Sequence, residues 1–190
     1  MLAWRRLGRA GLAVVYPIAI YIALRWFEPR FIALALAAIV VLQQRERAGR
    51  LLQGLAPAAW AGAGVMVLLS LVVWLGNDER VLRLWPVGIN LGLLLVFGAS
   101  LLRPPSMLER FARMLHPDLP AEGVRYTRRV TQVWCAFFLL NGAVASYTAF
   151  ATTRETWVLY NGLVAYLLVG ALFGGEWLVR RRLFPQSARL

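Results

Sequence analysis

Long apolar runs alternate with short polar links along the whole chain. A helix that crosses a bilayer needs about 20 predominantly apolar residues. On that measure the pattern predicts six spans, at residues 10–27, 31–44, 55–75, 84–102, 130–150 and 157–179. The second run is short: its apolar core, Phe31 to Leu42, would reach about 20 Å against a hydrocarbon thickness of about 30 Å. Arg5, Arg6 and Arg9 precede the first run as in a signal peptide, but that run ends in Arg25-Trp26-Phe27 with no small-residue cleavage site. It reads as an uncleaved first helix. The expected fold class is all-α: a polytopic membrane helix bundle forming a single integral membrane domain over residues 1–190.

The one sizeable polar piece is the loop at residues 103–129. Within it Ser106-Met107-Leu108-Glu109 has the S-x-x-E form of a capping box and predicts a short helix that Pro117 stops. Met107, Leu108, Phe111, Met114 and Leu115 would share one face, with Glu109, Arg110, Arg113 and His116 on the other. Such a helix is expected to lie amphipathically in the membrane interface.

Composition supports this reading. Apolar residues make up 60% of the chain and charged residues 16%, against about 45–50% and 25% in soluble domains. The net charge of +12 does not indicate nucleic acid, because the basic residues, all arginine, cluster at the ends of apolar segments. In the six-span arrangement sixteen arginines fall on the side holding both termini and residues 45–54 and 103–129. Four (Arg30, Arg80, Arg83, Arg154) fall on the other. The positive-inside rule makes the first side cytoplasmic, so both termini are expected there. The same rule requires the short second run to cross. The eight tryptophans lie near segment ends, as in an aromatic belt.

Four constellations could carry function. Asn90, Asn141 and Asn161 sit one to a span, where they could hydrogen-bond helix to helix or line a polar path. Glu176 is an acidic residue inside a span and therefore a functional candidate, yet it stands four residues before Arg180, the spacing of an interfacial ion pair. Gly170 and Gly174, like Gly142 and Ser146, have the spacing of close helix packing, within one bundle or in a homo-oligomer. Arg110, Arg113, Arg125, Arg128 and Arg129 could contact anionic lipid or an acidic partner, or could serve topology alone. No G-x-S-x-G, H-E-x-x-H, P-loop or dinucleotide fingerprint is present, and one cysteine and one histidine make no metal set. No catalytic residue, cofactor or metal is expected, and the chain is expected not to be an enzyme.

From Leu75 onward a series of short motifs appears in order. Asn77-Asp78-Glu79 is followed by Pro105-Ser106-Met107-Leu108 and Leu119-Pro120. Then come Trp134, Ala136-Phe137-Phe138, Asn141-Gly142, Ala149-Phe150 and Trp157-Val158. The series resembles the intracellular septation protein A family of bacterial inner-membrane proteins, as a distant branch, over some 80 residues. Departures lie at Arg129-Val130 and at Leu159-Tyr160-Asn161. The resemblance implies a role in division or cell envelope upkeep through protein contacts. The stretches Tyr126 to Phe138, Tyr160-Asn161-Gly162 and Gly175-Glu176-Trp177 are also similar to uncharacterised bacterial membrane proteins encoded beside aryl-polyene or fatty-acid-like synthesis genes. That similarity implies a lipid- or acyl-handling component with acyl-synthesis partners.

Overall fold

A computed structural model describes residues 54–184. The spans expected at residues 10–27 and 31–44 lie outside the described residues. Those described form an all-helical structure without strands, and four of its helices are long and apolar enough to cross a membrane. The elements are α1 (Ala56–Gly76), α2 (Glu79–Leu82), α3 (Trp85–Leu102), α4 (Met107–Leu115), α5 (Ala121–Ala151) and α6 (Arg154–Leu159). A π turn (Tyr160–Val164) and α7 (Ala165–Leu183) complete the set. α6, the π turn and α7 run on as one helix of 30 residues.

Local chemistry sets the breaks. Pro57 and Pro86 stand in the first turns of α1 and α3, where a missing N–H costs nothing. Asn77 ends α1 in the left-handed conformation, φ 47°, with its N–H on Val73 O at 2.7 Å. The next residue, Asp78, caps α2 by accepting from Arg80 N at 2.7 Å. Asn77-Asp78-Glu79 is thus a helix stop followed directly by a helix start. Thr153 repeats the device before α6, accepting from Thr156 N at 3.3 Å. These links are too short for anything but antiparallel neighbours, so the spans run up and down in turn.

The expected boundaries hold within a few residues at α1 and α3. α5 differs: it starts at Ala121, nine residues before the expected span. Its 31 residues make about 46 Å of helix, so its basic first turns project beyond a 30 Å hydrocarbon layer. Arginine marks that projecting end. Arg103, Arg110, Arg113, Arg125, Arg128, Arg129, Arg180, Arg181 and Arg182 lie there, while Arg80, Arg83 and Arg154 lie at the opposite end.

α5 is the axis of the bundle. Its buried positions include Thr127, Thr131, Trp134, Phe138, Asn141, Ala145 and Thr148, a spacing that alternates four and three. That seam meets α3 along its length. Trp134 and Phe138 build the aromatic part of the core, with Phe97 edge-on to Phe138 at 5.1 Å and Phe173 at 4.7 Å from Trp134. The hydroxyls on the seam return to their own helix, Thr131 to Thr127 O at 2.8 Å and Thr148 to Ala145 O at 3.0 Å. That satisfies them inside an apolar core. α1 packs on α3 through glycine: a Cβ on Gly62 would meet Gly92 Cα at 3.0 Å, and one on Gly88 would meet Met66 Sδ at 2.6 Å.

At Gly170 and Gly174 an added Cβ would meet nothing within 4 Å, so neither is packed against α1, α3 or α5. One expectation needs correcting. The tryptophans do not all form a belt. Trp60, Trp74 and Trp177 are exposed, but Trp85, Trp134 and Trp157 are buried in helix contacts. The amphipathic α4 forms as expected, with its capping box. Glu109 is buried beside Met107, while Phe111, Met114 and Leu115 are exposed. The inward turn of Glu109 follows from its bonds, to Ser106 N at 3.4 Å and to Arg113 at 2.9 Å.

Candidate functional site: a buried polar layer and an arginine-rich end

Two of the three asparagines meet directly. Asn141 on α5 donates from Nδ2 to Asn90 Oδ1 on α3 at 3.1 Å. Asn90 Nδ2 in turn donates to Pro86 O at 2.8 Å, a carbonyl of its own helix. The close approach needs Gly142, because a Cβ there would lie 3.2 Å from Asn90 Cβ. The Asn-Gly pair on α5 is therefore one device: the asparagine bonds, and the glycine admits its partner.

Asn161 does not join this pair. Its Nδ2 donates to Thr148 Oγ1 at 3.2 Å and to Trp157 O at 3.0 Å, two helical turns from Asn141 along α5. The third member of the layer is its neighbour Tyr160, whose hydroxyl donates to Asn141 Oδ1 at 2.9 Å. Sequence reasoning missed Tyr160 because consecutive residues of an α-helix point about 100° apart. Here the π turn begins at Tyr160, and Ala165 N–H bonds back to Tyr160 O rather than to the α-helical partner. Tyr160 and Asn161 thereby both reach α5. The likeness between Asn141-Gly142-Ala143-Val144-Ala145 and Asn161-Gly162-Leu163-Val164-Ala165 does not extend to backbone: the first is α-helical, the second largely the π turn.

Glu176 stands apart from this layer. Fifteen residues, or about 22 Å of helix, separate it from Asn161. Its carboxylate pairs with Arg180 at 3.3 Å and accepts from the Tyr126 hydroxyl at 3.2 Å, which also reaches Glu176 O at 3.3 Å. The ring of Tyr126 packs edge-on against Phe184 at 5.5 Å. Arg181 lies over Trp177 at 4.6 Å. The four proposed polar-site residues therefore occupy two places. Asn90, Asn141 and Asn161 line α5 within the bundle, and Glu176 belongs to the arginine-rich end.

The five loop arginines also divide. Arg110 Nε donates to Pro105 O at 2.8 Å, and Arg113 pairs with buried Glu109 and reaches Pro117 O at 3.1 Å. These two brace the ends of α4. Arg125, Arg128 and Arg129 are exposed on the projecting turns of α5. α4 is anchored as well: Met107 N donates to Ser100 Oγ on α3 at 2.9 Å, and Leu108 N to Thr131 Oγ1 on α5 at 3.3 Å.

The opposite end carries a clasp. Glu79 Oε1 is shared by Arg83 at 2.9 Å and Arg154 at 3.3 Å, and Trp157 Nε1 donates to Arg83 O at 3.0 Å. This ties α2 to α6. Among the described residues no group of three or more His, Cys, Asp or Glu could hold a metal ion. Cys135 lies half-buried in α5 as a free thiol. Comparison with known proteins finds no matching family model, curated protein or solved structure.

Proposed function

We propose that this chain is a non-enzymatic protein of the bacterial inner membrane that supports the cell envelope or septation through protein contacts. One observation carries the reading. Asn141 uses both ends of its amide inside the bundle, toward Asn90 and Tyr160, so the central polar groups bond one another. Polar side chains consumed in this way hold helices together. The motif order that resembles the septation family points in the same direction. In-cell crosslinking of a tagged copy at native expression, followed by mass spectrometry, tests it. Division or cell-wall synthesis proteins among the partners would support it. Acyl-carrier, ketosynthase or acyltransferase partners would replace it with lipid or acyl handling.

That second reading has one structural observation in its favour. The π turn at Tyr160–Val164 interrupts a spanning helix at the point where Asn161 faces Thr148. Single π turns inside α-helices occur often at functional sites. Leucine substitution of Asn90, Asn141, Asn161 and Glu176, one at a time, separates the two. If each variant complements a deletion at normal protein level, acyl handling along these residues loses its basis.

A further inference from the structure

We infer that the arginine-rich end of the bundle is a binding surface for the phosphate headgroups of anionic phospholipid, assembled from α5 and α7 together. Arg125, Arg128 and Arg129 sit at i, i+3 and i+4, one stripe of α5. Thr127, buried in the seam, lies on the far side of the helix from that stripe. Tyr126 flanks it, and Tyr126 is the residue that reaches α7, at Glu176 and Phe184. That contact brings the stripe beside a second exposed set, Arg180, Arg181 and Arg182, more than fifty residues away in sequence. Six exposed arginines thus lie at the same end of two helices that touch there, five of them besides Arg180, which pairs with Glu176.

Two acidic groups lie beside them: exposed Glu122, one turn before Arg125, and Glu176 between the two helices. Glu176 is held by Arg180 and by the Tyr126 hydroxyl, so its charge is turned inward to the helix contact. Arg181 rests on the exposed ring of Trp177. An exposed tryptophan at a span end sits at headgroup depth, and a guanidinium on its face is held at that depth. The planar guanidinium also suits the paired oxygens of a phosphate better than a point charge does. An acidic protein surface would meet the same charges. It would not require them at the membrane boundary, on turns of helix that emerge from the hydrocarbon layer.

The test uses the full chain in mild detergent, with retained lipid quantified after purification from nanodiscs of mixed phosphatidylglycerol and phosphatidylcholine. Phosphatidylglycerol should be retained in preference and should raise thermal stability when added back. Phosphatidylcholine and inorganic phosphate should do neither. Arg125→Gln, Arg128→Gln and Arg129→Gln should each weaken retention about fivefold at low salt, and less at high salt. The combined R125K/R128K/R129K variant keeps the charge without the paired geometry and should retain more lipid than the glutamine variants but less than the parent, which separates loss of charge from loss of fold. Tyr126→Phe should weaken retention while leaving all six arginines in place. Equal retention of both lipids, an equal effect of inorganic phosphate, or glutamine variants that bind as well as the parent would each overturn the inference.

Discussion

α5 and the continuous helix from Arg154 to Leu183 are nearly equal in length, at 31 and 30 residues, and both are apolar enough to span a membrane. They hold their places by different means. α5 buries a seam in threes and fours, from Thr127 to Thr148. α7 has no buried residue among those described and meets α5 through separated contacts: Phe173 on Trp134 and Tyr126 on Glu176. Before it, Trp157, Tyr160 and Asn161 supply the attachment at the other end. Neighbouring helices in lipid gain little from apolar contact alone, because the hydrocarbon tails offer the same. Among the described residues the two helices thus follow two routes, continuous close packing for α5 and a few separate contacts for α7.

Substitutions can separate these routes. The largest effect is expected where close packing is tightest. Gly62→Leu drives a side chain into the backbone of Gly92, which cannot rotate away. It should destabilise the protein by about 1–3 kcal/mol or more, read as a lower unfolding midpoint in detergent. Next comes Asn141→Leu, which removes two helix-to-helix bonds together; a loss of about 1–2 kcal/mol is expected. A double-mutant cycle with Tyr160→Phe should then show coupling, since both act on one bond. Additive losses would break the proposed Asn141–Tyr160 link. Tyr126→Phe removes a hydroxyl from a half-exposed contact and should cost about 0.5–1 kcal/mol. Smallest of all, Gly170→Leu should shift stability by less than about 0.5 kcal/mol, because a Cβ there meets open space. A loss at Gly170 as large as that at Gly62 would mean that α7 packs as closely as α1, and the contrast would fail.

The helices and several of their ends are legible in the sequence because they rest on local signals: apolar run length, Pro57 and Pro86 at starts, Asn77 at a stop, and the Ser106 box. What the sequence does not show is which polar residues meet. Asn90, Asn141 and Asn161 are equally conspicuous, and spacing along the chain says nothing about the depth at which each crosses its neighbour. The π turn adds a register shift that substitutes Tyr160 for Asn161 in the layer. Gly170-x-x-x-Gly174 and Gly88-x-x-x-Gly92 have the same spacing, yet among the described residues only the second lies in a close helix contact, with Gly92 against Gly62 and Gly88 against Met66 of α1. Likewise the spacing puts Glu109 on the polar face of α4 without showing that it is buried, which follows from its bonds to Ser106 N and Arg113.

The anchoring of α4 has a consequence for biosynthesis. Its first two amide donors are satisfied outside the helix, by Ser100 of the span before it and Thr131 of the span after it. A nascent chain that has emerged only as far as Leu115 lacks the second of these acceptors. The start of α4 is therefore completed after α5 has been made and has come to rest beside α3. Formation of this short helix marks the moment when two spans have found each other.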